Sequence, residues 1–302
     1  MQDKFFRTIC FLCALMVPIL LAGILICLIF NSAEAWRSFG WRFLISSEWN
    51  PAANQYGALP AILGTILTTG IAIVIAVPLS FITAFFITDL PFRYRGPLSC
   101  ALDLLAAIPS VIYGMWGLFV LIPLMQKYVQ PFLVHTMGLG RLPFVNENYN
   151  GFGHFTAGLV LALMILPYLS AIMRDVFQAT PPLLKESAVG IGCTRWETAR
   201  DIVLKYGIHG LIGGVFIGLG RALGETMAVL FIIGNVVRIP SGIFDSGTTI
   251  AATLANNFAE ADGMMKSVLF ALGLVLLGLS LCIQIIAHVY MNQTRKKRGE
   301  LL

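Results

Sequence analysis

Charge is scarce in this chain. Only 12% of its 302 residues are Asp, Glu, Lys or Arg, whereas 58% are hydrophobic. Soluble domains carry about 25% charged and 45–50% apolar residues, so composition excludes a soluble globular fold and points to a bilayer. A phosphate-cradling Gly-x-x-x-x-Gly-Lys-Ser/Thr loop is missing, which excludes ATP hydrolysis by this chain alone. No nucleophile–base constellation stands out, so it is not expected to be an enzyme. His135, His154, His209 and His288 are scattered without ligand spacing, and no metal site is expected. Cys10-x-x-Cys13 has no second Cys or His pair, so these two read as small buried hydrophobes, and no disulfide is expected among the six cysteines. The formal net charge is +5, but the basic residues form no patch with interleaved aromatics. That excludes a nucleic-acid partner.

What the chain has is long apolar runs. They fall at about residues 10–30, 60–88, 98–124, 154–173, 208–234 and 268–289. Each is long enough for a membrane helix. The first run, about twenty residues, exceeds the h-region of a signal peptide. An uncleaved helix is therefore expected, rather than a leader cut after Ala33-Glu34-Ala35. Trp36, Trp41 and Trp49 follow it, as at a membrane interface. Six spans put both termini on one side. That side collects Lys4, Arg7, Arg93, Arg95, five basic residues from Arg174 to Lys205, and Arg295 to Arg298, thirteen in all. The other side has Arg37, Arg42, Lys127, Arg141 and Arg238, five in all. The positive-inside rule then makes both termini cytoplasmic, along with the polar stretch before the fifth run.

That stretch carries a spaced pattern. Pro181-Pro182 enforces an extended entry and suits a helix start. A short helix is expected over residues 183–189 with Glu186 early in it, where the dipole favours a carboxylate. Gly190 and Gly192 permit a turn, and a second helix is expected over 195–204. Glu186, Ser187, Ala188, Gly192, Ile202 and Leu204 resemble the EAA signature of bacterial ABC-importer permeases, with Ser187 in place of the first Ala. Lys205 replaces the signature's final Pro, so Gly207 is expected to end the helix instead. Further stretches, Ala107–Gly117, Gly220–Ala228, Phe231–Asn235 and Ala255–Ala261, resemble the PstC family of phosphate permease subunits over most of the chain.

The resemblance implies an all-α integral membrane fold, a type I ABC importer core with a coupling helix. Its divisions are an N-terminal tail, first helix and outer loop (1–59), a five-helix transmembrane domain (60–290, coupling loop about 181–207) and a basic tail (291–302). The implied partners are a homologous PstA-like permease, two PstB-like ATPase subunits and an extracytoplasmic PstS-like phosphate-binding protein. ATP and Mg would be held by the ATPase subunits and no cofactor by this chain. The implied location is the bacterial inner membrane. Another oxyanion importer, for sulfate or molybdate, is the alternative. A proton- or sodium-coupled secondary transporter would need inverted repeats and midplane ion sites, and the sequence shows neither.

Three charged residues fall inside apolar runs: Asp103, Arg221 and Glu225. An Arg at bilayer depth costs about 2.5–3.5 kcal/mol on insertion scales, so it faces protein or a water-filled path. Arg221 and Glu225, four apart, are expected on one helix face. They form either a self-compensating pair or a substrate-path element, with the guanidinium fork meeting phosphate oxygens. Gly218, Gly220 and Gly224 keep that surface shallow. Asp103 is a further path candidate near an interface, and Pro109 with Gly114 suggests a bent helix beside it.

Overall fold

The computed structural model describes residues 2–136, 138 and 150–297. Arg141 and Arg298, both in the charge count, lie outside the described residues. The chain is helical, with α1 (Gln2–Phe39), α2 (Leu59–Asp89), α3 (Phe92–Ala106), α4 (Ser110–Thr136) and α5 (His154–Gln178). There follow α6 (Pro182–Gly190), α7 (Arg195–Leu223), α8 (Met227–Leu230), α9 (Ile250–Asn257) and α10 (Gly263–Lys297). Six of them, α1, α2, α4, α5, α7 and α10, are long and apolar enough to cross a membrane. A two-stranded hairpin, Trp49–Asn50 with Gln55–Tyr56, joins α1 to α2.

The tightest packing is between α2 and α5, and its cause is a period of four. Gly64, Thr68, Ala72, Ala76, Ser80 and Ala84 are all buried along one face of α2. Small residues at this spacing let helix backbones approach closely, which drives association in lipid. Ser80 Oγ donates to the Leu166 carbonyl across the contact at 3.0 Å. On α7, Gly207, Gly214 and Gly218 do the same against Val176, Ile172 and Leu169 of α5. The order of those partners shows that α7 runs antiparallel to α5. By contrast, residues 6–30 of α1 are largely exposed, and α1 rests mainly on α10. Ser267 links the two, donating to the Asn31 carbonyl (2.7 Å) and accepting from the Ala35 amide (3.1 Å).

Three sequence expectations are corrected. The third span is Ser110–Thr136, not residues 98–124. Pro109 has no amide hydrogen and disfavours helical geometry at Ile108, so α3 ends at Ala106 and the spanning helix begins after the proline. The fifth span is Arg195–Leu223, not 208–234. Lastly, no helix ends at Gly207. The helix expected over 195–204 is the first part of α7, which passes through a π-helical turn, Thr198–Val203, and continues. Lys205 continues the helix and pairs with Asp201 at 2.9 Å, one turn away.

From Gly224 the chain leaves helical geometry inside the bundle. Ile232, Ile233 and Phe244 are fully buried, and Gly234 bridges Gly247. Non-helical backbone is tolerated at membrane depth only where protein or a water-filled cavity satisfies it. Here the segment serves the start of α5. Gly153, His154 and Phe155 donate their amides to the carbonyls of Ile232, Asp245 and Ile243. These amides would otherwise be orphaned at a helix N-terminus.

Candidate functional site

The coupling stretch sits at the end of the bundle where α2 and α5 finish. Pro181 is extended (φ −53°, ψ 132°), and Pro182 occupies the first helical position of α6. Ala188 is buried (3% exposed) and anchors α6 to the bundle. Glu186 and Ser187 stay exposed. Glu186 falls in the second turn, since no acidic residue occupies the first, so the expected dipole contribution at the first turn does not apply. Gly192 has φ +96°, a conformation costly for any side-chain-bearing residue. It reverses the chain before Thr194, which caps α7. Thr194 Oγ1 accepts from the Glu197 amide, and the Glu197 carboxylate accepts from the Thr194 amide at 2.7 Å. Ile202 and Leu204 are half-buried on α7. The stretch thus presents exposed apolar side chains, Leu183 (72%), Val189 (56%) and Ile191 (84%), on a firmly seated helix.

Its attachment is polar. Lys185 donates to the Phe177 carbonyl at 2.9 Å, and Arg195 pairs with Asp89 at the end of α2 at 3.1 Å. Lys185 thus ties α6 to α5, and Arg195 ties the start of α7 to α2.

Arg221 lies in the last turn of α7, with its guanidinium carbon 5.3 Å from the Tyr168 ring centroid. Tyr168 is fourteen residues into α5 and ten from its end, about 21 and 15 Å along the axis. Arg221 therefore sits near mid-depth. It is exposed on this subunit, and no ion pair within 4.0 Å offsets it among the described residues.

The expected shared helix face with Glu225 is overturned. The helix has ended at Leu223, and the half-buried Glu225 accepts from the Ala228 amide at 3.2 Å, at the start of α8. The self-compensating pair falls with it. The expected role of the glycines divides as well: Gly218 packs on Leu169 of α5, while Gly224 meets only the carbonyls of its own turn.

Asp103 is not at membrane depth. It lies on α3, mostly exposed, 3.7 Å from Arg174 near the coupling-loop end of α5. Such a pair contributes about 0–1 kcal/mol. Asp103→Asn is expected to leave transport within about twofold of wild type, as measured by uptake in vesicles; a tenfold loss would return Asp103 to the path. Two contacts at the site were not legible beforehand. Tyr168 meets Arg221 only through the α5–α7 packing. The Ala107–Gly117 stretch packs on the segment after Glu225, since a Cβ at Gly114 would come 2.8 Å from the Phe231 ring.

A six-span helical bundle with a helix broken at mid-depth and a surface helix between two spans defines a permease subunit of an ABC importer. Residues 76–296 match the family described as "Binding-protein-dependent transport system inner membrane component". The chain belongs to that family and, within it, to the PstC permeases. The "Phosphate transport system permease protein PstC" of Haemophilus influenzae is 47% identical over 99% of this chain and 96% of its own. Its namesake in Mesorhizobium japonicum is 46% identical, covering 99% and 93%. A "Probable phosphate transport system permease protein PstC" of Methanocaldococcus jannaschii is 36% identical, covering 88% and 86%. Among solved structures, a chain of a bacterial alginate ABC transporter in complex with an alginate-bound periplasmic protein superposes with TM-score 0.61. That match is 18% identical and covers 94% of each chain. A chain of the inward-facing MetNI methionine ABC transporter gives TM-score 0.54 at 16% identity, covering 76% and 90%. At such identities the likeness is one of fold.

Proposed function

We propose that this chain is a permease subunit of an ATP-driven phosphate importer in the bacterial inner membrane, with both termini in the cytoplasm. It lines the phosphate path together with a PstA-like permease. Two PstB-like ATPase subunits, which hold ATP and Mg, engage the coupling loop at about 181–207, and a PstS-like receptor delivers phosphate from outside. The core is residues 60–290.

One observation carries this reading: Arg221 stands exposed at mid-depth, with no ion pair among the described residues, beside a break in its own helix. In hydrocarbon that charge would cost several kcal/mol. Facing a path, it offers a planar fork to a tetrahedral oxyanion. Rigid-body motion of the bundle, driven from α6, would alternate access to that point.

Glu225 bears on which oxyanion passes. Its carboxylate caps α8 next to the path, and it would accept a hydrogen bond from protonated phosphate, which sulfate has no proton to give. The test is ATPase stimulation and uptake by the assembled complex with phosphate, sulfate and molybdate. Phosphate alone is expected to stimulate, and a stronger response to sulfate or molybdate would favour the alternative cargo. In Glu225→Gln the sulfate-to-phosphate uptake ratio is expected to rise by about tenfold, the equivalent of one hydrogen bond at roughly 1.4 kcal/mol. An unchanged ratio would remove the discriminating role.

A further inference from the structure

A second cavity lies away from the path. It has a volume of about 320 Å³ and lies at the coupling-loop end, between α2, α5, α6 and the start of α7. Lys185 and Arg195 supply its donors, Asp89 is its one acid, and Thr88 and Thr198 also line it, the Thr88 hydroxyl being spent on the Ala84 carbonyl at 2.7 Å. Lys185 spends one hydrogen on the Phe177 carbonyl, and Arg195 spends one nitrogen on Asp89. A lysine ammonium has three donors and a guanidinium five, so both keep capacity. Thr198 is 7% exposed and its hydroxyl has no hydrogen-bond partner. A buried, unsatisfied polar group is uncommon and calls for an explanation. It opens the π-helical turn Thr198–Val203, and such turns recur at functional sites. Separately, burial and the nearby Arg95 charge lower the Lys185 pKa, as expected of an ammonium that lacks a counter-ion.

We propose that this cavity is a second oxyanion site, which takes inorganic phosphate on the coupling-loop side and slows the transporter when occupied. Two cations against one carboxylate leave a net positive charge for a tetrahedral anion, and a turn of the Thr198 side chain, whose hydroxyl is enclosed and unspent, would bring it a further donor. Val189 lines the cavity and is also part of the exposed docking face of α6. An anion held there ties α6 to α7 and resists the relative motion that coupling requires. On the function proposed above, phosphate appears on this side from import and from ATP hydrolysis, so the site would act as product feedback. The inference rests on that function for its ligand.

The experiment uses the full complex in vesicles with the ATPase subunits outward and the phosphate-loaded receptor inside. ATPase rate is measured with and without added phosphate on the ATPase side. Wild type is expected to slow by about threefold when phosphate reaches twice the site's dissociation constant, by mass action. Lys185→Gln and Thr198→Val should each lose most of that inhibition. The readout is the ratio within each variant, so a change in uninhibited rate cancels. Absence of inhibition in wild type would overturn the proposal. So would equal inhibition in both variants, which would assign it to the ATPase subunits. A rate that follows anionic lipid content rather than added phosphate would also overturn it, by placing a headgroup in the cavity. The uninhibited wild-type rate reports separately on the proposed function.

Discussion

Arg221→Gln is expected to lower phosphate uptake roughly ten- to hundredfold while the complex still assembles. The range corresponds to the loss of a charge-assisted hydrogen-bonding contact, about 1.5–3 kcal/mol. Gln keeps most of the side-chain length and its hydrogen-bonding capacity, so charge and fork geometry are what is removed. The position is exposed on this subunit and has no ion pair among the described residues, so the fold depends little on the charge. Its contact with the Tyr168 ring contributes about 0.5–1 kcal/mol at an exposed site. Losing that alone would shift the unfolding midpoint slightly and spare uptake. Co-purification of the ATPase subunits checks assembly, and uptake of labelled phosphate checks function. Arg221→Lys separates charge from shape: partial recovery is expected, because an ammonium attracts the ion without the bidentate fit. Wild-type uptake by Arg221→Gln would remove Arg221 from the path.

Fold class was legible because the lipid-facing surface requires apolar side chains over a full bilayer thickness. The ends of α3 and α7 were harder for the same reason. Residues 98–124 read as one run because the Pro109 break lies between two apolar helices. Beyond Leu223 the chain is apolar again from Met227 through Ile233, but there the cause is burial in protein, with Ile232 and Ile233 fully enclosed. Hydropathy cannot separate a lipid-facing helix from a buried irregular segment. That error carried Glu225 onto the wrong side of a helix end and produced the intrahelical pair with Arg221. The four-residue stripe from Gly64 to Ala84 was present in the sequence, and only its contact with α5 gave it meaning. Asp103 was misplaced in depth because Pro109, read as a bend within a span, instead separates α3 from the span that begins at Ser110.

The coupling stretch was found by spacing, yet its exposed apolar side chains are what make its docking testable. Ile191→Asp is expected to weaken association of the ATPase subunits by about thirtyfold or more, the equivalent of about 2 kcal/mol for a central interface residue. Ile191 is 84% exposed, so its side chain adds little to the fold of this subunit. Gly192, at φ +96°, then turns the chain away, which leaves Ile191 at the tip between α6 and α7. A carboxylate there would have to be desolvated on docking without a partner, at a cost beyond that of the lost apolar contact. Ile191→Leu, which keeps the volume, is expected to bind within a few-fold of wild type. The subunit should insert normally in both variants, with receptor-stimulated ATPase activity lost in Ile191→Asp alone. If Ile191→Asp binds and couples like wild type, the ATPase contact lies elsewhere on the loop. The buried Ala188 and the exposed Glu186 would then serve only to shape α6.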